Sequence, residues 1–250
     1  MEEKPKLYDF VSDLALSLSF ISRIPVKIKN LDSWEARIKR VPIYFPAVGY
    51  IPGLIYGLGN FLSKQFSDFK LPILFLSTAL GFYFFDLFHF DGLLDMLDGF
   101  LNQSNKERRL EIMSKGNVGP FAVFYGTLYV ILFYELLPTL NWYHFIFASV
   151  FGRYAMDVLL VFSKPAKSTG LGAVLFPYEK FYTLYASMFL TPLIFTNYIA
   201  FLVSFSLSWL VGFAVSKISE KKIGGITGDV LGGTCLIAQM VVLLAGYVFK

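Results

Sequence analysis

The sequence predicts an all-α bundle crossing a membrane with about seven to eight segments, and two observations carry that prediction. Of its 250 residues, 56% are hydrophobic and only 16% are charged, whereas a soluble domain carries roughly 25% charged residues. The apolar residues are also clustered, in runs such as Leu71 to Phe85, Phe121 to Leu137 and Val230 to Phe249. Such runs match the ~20 residues that cross a hydrocarbon core. A barrel would need alternating ten-residue strands instead, so helices are the natural solution for satisfying the backbone in lipid.

Apolar segments fall at about 7–24, 42–62, 71–97, 119–137, 141–162, 181–197, 199–216 and 230–249. The first contains Asp9, Asp13 and several serines, which make it amphipathic. It either spans or lies in the interface. The third is longer than a span requires, so its Asp-rich end projects beyond the hydrocarbon or lines a cavity. The N-terminal Met1 to Lys6 is short and charged, and no small-residue cleavage site follows it, which predicts no removable leader. No internal repeat or low-complexity linker divides the chain, and a single integral membrane domain over 1–250 follows.

The connecting loops give an orientation. Loop 25–41 carries Lys27, Lys29, Arg37, Lys39 and Arg40, and loop 98–118 carries Lys106, Arg108, Arg109 and Lys115. Loops 163–180 and 217–229 carry Lys164, Lys167 and Lys180, and Lys217, Lys221 and Lys222. Strict alternation puts all four on one side, which the positive-inside rule makes cytoplasmic. The net charge of +4 therefore reflects membrane topology and not a nucleic-acid partner. Cys235 is the single cysteine. It cannot form an internal disulfide and reads as a small buried filler.

The chemistry concentrates in His89-Phe-Asp-Gly-Leu-Leu-Asp-Met-Leu-Asp-Gly99. Asp91, Asp95 and Asp98 are spaced i, i+4 and i+7, so a helix presents them on one face. Three stacked carboxylates repel one another, and near a bilayer each is costly to bury. A divalent cation among them reverses that cost, and oxygen donors suit Mg²⁺, Mn²⁺ or Ca²⁺ better than zinc. The alternative is a solvated helix end beyond the membrane. Apolar Leu93, Leu94, Met96 and Leu97 on the other faces favour an inward stripe.

A second constellation, Gly224-Gly-Ile-Thr-Gly-Asp-Val-Leu-Gly-Gly233, precedes the last segment on the same side. Around Gly225, Thr227 and Gly228 a glycine-rich turn entering a helix offers backbone N–H groups to phosphate. Asp229 is either the cap of that helix or a further metal ligand from a second helix. Arg23, Arg153 and Lys222 are candidates for gripping phosphate. Arg153 lies inside an apolar run, where pairing with Asp157 at i+4 is the competing reading. His89 reads either as a ligand or acid–base group, or as a satisfied polar residue near a helix end.

These residues together resemble a known family. The stretch His89 to Gly99 is similar to the motif HLDGLADTADG of the cobalamin synthases, the adenosylcobinamide-GDP ribazoletransferases of the bacterial and archaeal vitamin B12 pathway. Phe20-Ile-Ser-Arg-Ile-Pro25, Tyr44-Phe-Pro-Ala-Val-Gly49, Arg108-Arg-Leu-Glu-Ile-Met113, Gly170-Leu-Gly172 and Gly224-Gly-Ile-Thr-Gly-Asp229 follow in the family's order. The resemblance spans roughly residues 10 to 245. One stretch departs from it: where the family has Asp after Ile-Met, as in RDSRIGTFG, this chain has Lys115, and Glu111 is the nearest carboxylate that replaces it in role.

The resemblance implies Mg²⁺-dependent transfer of adenosylcobinamide phosphate from adenosylcobinamide-GDP to α-ribazole or its 5′-phosphate, with release of GMP, in the cytoplasmic membrane. It makes Asp91 and Asp95 the expected metal ligands, with Asp98 a third ligand or the base and Asp229 holding a second metal or the nucleotide. The implied partners are these substrates and the lipid bilayer, with a homo-oligomer or an association with other cobalamin-pathway proteins compatible with it. Two rivals remain at this level. A CDP-alcohol phosphotransferase acting on a lipid would carry Ala-Arg after the first Asp-Gly pair, which this chain lacks. A cation transporter would show two related halves, which it also lacks.

Overall fold

The computed structural model describes residues 7–26 and 34–249. Met1 to Lys6 and the loop lysines Lys27 and Lys29 lie outside the described residues. Within them the regular structure is helical, and extended pairing is confined to an isolated parallel bridge between Pro165 and Ile226. The helices are α1 (Leu7–Ile21), α2 (Trp34–Ile38), α3 (Phe45–Gln65), α4 (Lys70–Gly81), α5 (Leu87–Leu101), α6 (Lys106–Ser114) and α7 (Pro120–Thr139). They continue with α8 (Trp142–Val161), α9 (Phe181–Ser187), α10 (Thr191–Ile194), α11 (Tyr198–Ile223) and α12 (Gly228–Val248).

Six stretches among the described residues are long and apolar enough to cross a membrane: Val41–Gln65, Ser67–Leu101, Pro120–Thr139, Trp142–Val161, Tyr198–Ile223 and Gly228–Val248. Two shorter apolar stretches, Phe10–Ile21 and Phe181–Ile194, stand beside them. They correspond to the first and sixth segments read from the sequence. In the first, Asp13 is buried against Arg37 (2.8 Å) and Arg40 (3.3 Å), so the amphipathic residue docks α2 onto α1. In the sixth, a 3-10 turn at Met188–Leu190 separates α9 from α10, and Pro192 sits at the start of α10. The chain is a polytopic membrane bundle.

Helix α8 is the hub, buried from His144 to Leu160 and packed against α3, α11 and α12. Glycines at 49, 53 and 57, one turn apart on α3, let that helix approach very closely. A Cβ at Gly49 would lie 2.8 Å from the Val150 Cα, and one at Gly53 would lie 2.7 Å from the Ile146 Cα. Small residues at i, i+4 and i+8 are how membrane helices gain backbone-to-backbone packing. Cys235 is free and buried in α12, as a small filler would be.

The stretch Ser67–Leu101 runs 35 residues, about 52 Å at 1.5 Å per residue against a ~30 Å hydrocarbon core. The stretch is therefore longer than a single crossing requires. A π-turn at Phe82–Asp86 interrupts it just before α5, and such turns inside α-helices are frequent next to functional sites. The four basic loops gather at its Asp-bearing end. Lys222 donates to the Phe100 carbonyl (2.9 Å), Pro165 bridges Ile226, and Trp34, Lys167 and Asp229 line one cavity. The alternating-loop argument and the packing agree.

Candidate functional site

The site forms where α5 meets the beginning of α12. Helix α11 ends at Gly224, whose φ of +79° is the left-handed conformation that glycine adopts without a steric penalty. The chain reverses there and enters α12 through Thr227, whose hydroxyl accepts from the Val230 N–H (3.4 Å) and donates to an Asp229 carboxylate oxygen (3.1 Å). Thr227, not Asp229, is therefore the residue that caps the helix, and the Asp229 carboxylate remains available to the site.

Helix α12 lies directly on α5. A Cβ at Gly92 would sit 2.9 Å from the Asp229 Cα, and one at Gly232 would sit 3.0 Å from the His89 Cα. The two sequence constellations, separated by more than a hundred residues, thus meet at the level of Asp91. They open onto a cavity of about 610 Å³ whose polar lining includes Asp91, Asp229, His89, Lys167 and Thr227. Its other walls come from α1, Trp34 and the 169–173 loop.

The carboxylates of the stripe have distinct surroundings. Asp91 is exposed, and Asp95 and Asp229 are half-buried. The negative charges of Asp229, Asp91 and Asp98 all act on Asp95. Asp98 is buried, and both of its oxygens accept backbone N–H groups, from Gly119 (2.6 Å) and Ala122 (3.0 Å). Asp98 therefore fastens the N-terminus of α7 to α5. Among the described residues no three His, Cys, Asp or Glu side chains converge into a ready-made metal shell. The donors present are carboxylate oxygens spread along two facing helices. That arrangement fits a magnesium ion, which keeps several waters and binds through one or two carboxylates plus substrate phosphates.

The basic candidates separate just as clearly. The Arg153 guanidinium is wholly enclosed and donates to Asp86 (2.9 Å) and to the Ser149 carbonyl (3.2 Å). The i+4 pairing with Asp157 is not formed. Asp157 instead accepts from the Tyr178 hydroxyl (3.1 Å), while Asp86 also accepts from Tyr56 (2.6 Å). Arg23 is exposed, with its guanidinium over the rings of Tyr83 (4.6 Å) and Phe88 (5.6 Å), close to the cavity wall that Phe88 supplies. Lys222 closes the end of α5 through its bond to Phe100. In the glycine-rich turn Gly225 is buried, and the flanking N–H groups of Gly224 and Ile226 bond to Glu220 and Lys164. His89 is buried with its Nδ1 3.8 Å from Asp86, and it still contributes to the cavity lining. Lys115, the departure from the family pattern, is exposed and pairs with Glu111 at 2.6 Å.

Sequence reasoning missed Asp86, Lys167 and Trp34. A signal existed for Asp86, since an ionisable residue in the middle of an apolar run announces a partner. Lys167 and Trp34 sit in loops whose course only the fold reveals.

A membrane bundle with an acidic, glycine-set junction of two helices opening on one basic face is chemically suited to a membrane-embedded transferase of phosphate-linked groups. The comparisons narrow that class. The family model for cobalamin-5-phosphate synthase matches residues 13–247, and the chain belongs to that family. It is 63% identical to the adenosylcobinamide-GDP ribazoletransferase of Fervidobacterium nodosum, over 95% of this chain and 98% of the relative. It is 56% identical to the enzyme of the same name from Thermosipho melanesiensis, over 95% and 97%. Identity to the one from Treponema denticola is 31%, over 93% and 96%. No solved structure matches the chain.

Proposed function

We propose that this chain catalyses the reaction its relatives are named for, using Asp91, Asp95 and Asp229 as the groups that hold a magnesium ion against the donor pyrophosphate. The chain is a transferase of late cobalamin biosynthesis. A ribose hydroxyl of α-ribazole, or of its 5′-phosphate, attacks the phosphorus attached to cobinamide, and the bond to GMP breaks as GMP leaves. The observation that carries the site is the convergence of Asp91 and Asp229, from two helices locked together at Gly92, on one cavity at the basic end.

A magnesium ion held by these carboxylates would supply Lewis-acid stabilisation for the negative charge on the leaving phosphate oxygen. The chain's own residues do the positioning. Asp91 and Asp229 line one cavity beside the helix junction, and Asp95 extends the acidic stripe one turn along α5. Lys167, on the cavity wall, and Arg23, at its edge, supply positive charge for phosphate. Asp98 acts by fixing α7 to α5, because both of its oxygens already accept backbone N–H groups. The basic end faces the cytoplasm in this reading, following the positive-inside rule, in the cytoplasmic membrane.

The test is GMP release from adenosylcobinamide-GDP and α-ribazole by the protein in liposomes, with Mg²⁺ or with EDTA, for wild type, Asp91→Asn and Asp229→Asn. Mg²⁺-dependent release that both substitutions reduce by about 10²–10³-fold or more is expected. Release that persists in EDTA would remove the metal from the account. Release of CMP from a CDP-linked lipid donor, with no GMP formed, would replace the reaction itself.

A further inference from the structure

The cavity lining combines two chemical kinds of side chain, and the combination says which substrate enters it. Asp91, Asp229 and Lys167 are charged residues of its lining, and Leu16, Phe20, Trp34, Phe88 and Leu231 are among the apolar ones. Trp34 is 45% exposed and Phe88 54% exposed, so both rings offer open surface. At about 610 Å³ the space is in the ~300–1,000 Å³ range that encloses a drug-sized ligand. A corrinoid carrying an adenosyl group and a nucleotide is several times larger and cannot be enclosed there. A nucleoside can.

Resting on the reading of the chain as a ribazole transferase, we infer that this cavity is the acceptor subsite, with Trp34 as the residue that selects the aromatic base. Ribazole carries dimethylbenzimidazole, a flat base with two methyl groups and no exocyclic donors or acceptors. Stacking on the Trp34 indole and contact with Phe20 and Phe88 satisfy such a base without polar partners. Guanine in the same place would leave its amide and amino groups buried against apolar walls, which is costly. With the base held by the aromatic side chains, the ribose hydroxyls are left for the carboxylates. The corrinoid donor then meets them from the mouth and not from within.

Trp34 is held in place from a distance. It opens the five-residue helix α2, and Arg37, one turn later, donates to the buried carboxylate of Asp13 on α1 (2.8 Å). The ring itself has no part in that bond, so its replacement leaves the Arg37–Asp13 contact in place.

Tryptophan emission provides the readout, because of three tryptophans Trp34 is the one that lines this cavity. Trp142 begins α8 at the opposite end of the bundle, and Trp209 packs on Phe162 and Phe205. Titrating the full-length protein in nanodiscs with α-ribazole, without donor or Mg²⁺, is expected to quench emission saturably. Trp34→Phe is expected to abolish that quench, and an equal concentration of GMP to leave it unreversed. In turnover, Trp34→Ala is expected to raise KM for α-ribazole at least tenfold while KM for adenosylcobinamide-GDP and kcat change less than threefold. Trp34→Phe should restore most of that loss. Wild-type GMP release with normal α-ribazole KM in Trp34→Ala overturns the subsite and leaves the reaction standing. Quenching by α-ribazole without any GMP release overturns the reaction and leaves the subsite standing. Displacement of α-ribazole by GMP assigns the cavity to the donor's nucleotide and overturns the inference.

Discussion

Gly92 on α5 rests on the backbone of Asp229: a Cβ at residue 92 would lie 2.8 Å from the Asp229 carbonyl oxygen and 2.9 Å from its Cα. The neighbour is main chain, so it cannot rotate aside as a side-chain tip could. Gly92→Ala is therefore expected to push α12 away from α5 and separate Asp91 from Asp229. Overpacking of this kind costs about 1–3 kcal/mol, and the larger effect should fall on catalysis. Initial rates of GMP release should drop at least tenfold while the protein still purifies as a folded species. A rate within twofold of wild type would mean that the junction is loose and that the two carboxylates do not work together.

Asp98 belongs to the acidic stripe by spacing but not by environment. Its oxygens accept from Gly119 at 2.6 Å and Ala122 at 3.0 Å, so the carboxylate compensates two N–H groups at the start of α7. Asp98→Ala is expected to lower stability by on the order of 2–3 kcal/mol through loss of the charge-assisted hydrogen bonds that cap α7. Asp91→Asn should leave stability nearly unchanged while abolishing activity. Thermal denaturation in detergent, run beside the activity assay, separates the two. If Asp98→Ala kept its melting temperature and lost only activity, Asp98 would return to the reacting centre.

Arg153 is expected to behave as a core residue. With its guanidinium paired to Asp86 at 2.9 Å and both side chains fully buried, Arg153→Met leaves an uncompensated buried carboxylate, a change that costs about 3–5 kcal/mol. Asp86→Asn in the Arg153→Met background should recover a large part of that loss, since the amide needs no counter-charge. Chemical denaturation of both single variants and the double variant measures the coupling directly. Additive losses would show that the two groups are not partners.

Much of this arrangement was legible in the sequence, and the parts that were not share a cause. The long spans follow from apolar run length, and the Asp91 and Asp95 face follows from helical period. The alternation of basic loops placed Asp229 on the correct side. Pairing was legible only at short range. Arg153 has a carboxylate at i+4, yet the fold gives it Asp86, 67 positions away, because the α8 hub faces the π-turn before α5. Asp98 likewise turns to α7, although its spacing puts it in line with Asp91. The broken stretch Phe181–Ile194 was apolar enough to read as a full segment, and its interruption at Met188–Leu190 leaves no mark in hydropathy.

Lys115 stands where the family pattern has Asp, and its surroundings indicate a tolerant surface position. The Glu111 carboxyl is held down at about 2 by hydrogen bonds from Lys115 and Arg108. A depressed carboxylate contributes its stabilisation above its ordinary value near 4.5, and that contribution is lost as pH falls toward 2. The pair is fully exposed and screened by solvent, so its worth is small. Lys115→Ala should accordingly leave melting temperature and GMP release unchanged between pH 6 and 8. Any small difference from wild type should be present above about pH 4.5 and vanish as pH falls toward 2. A large loss of activity at neutral pH would show instead that the 115–118 segment reaches the substrate.

A buried carboxylate helps to dock α2 onto α1. Asp13 is 3% exposed and receives Arg37 at 2.8 Å and Arg40 at 3.3 Å, and α2 is too short at five residues to hold helical form by itself. Asp13→Ala removes the acceptor that Arg37 and Arg40 share and so weakens the tie of α2 to α1. The Trp34 ring then loses its position on the cavity wall, although nothing at residue 34 has changed. Faster amide exchange over 34–38, with the α5 and α12 amides as protected as before, is the expected structural signature. The kinetic signature is a raised KM for α-ribazole with kcat held within threefold, matching Trp34→Ala in kind. Retained exchange protection in α2 would show that its apolar contacts suffice to dock it. A fall in kcat with unchanged KM would place Asp13 in the support of the carboxylates and not of the aromatic wall.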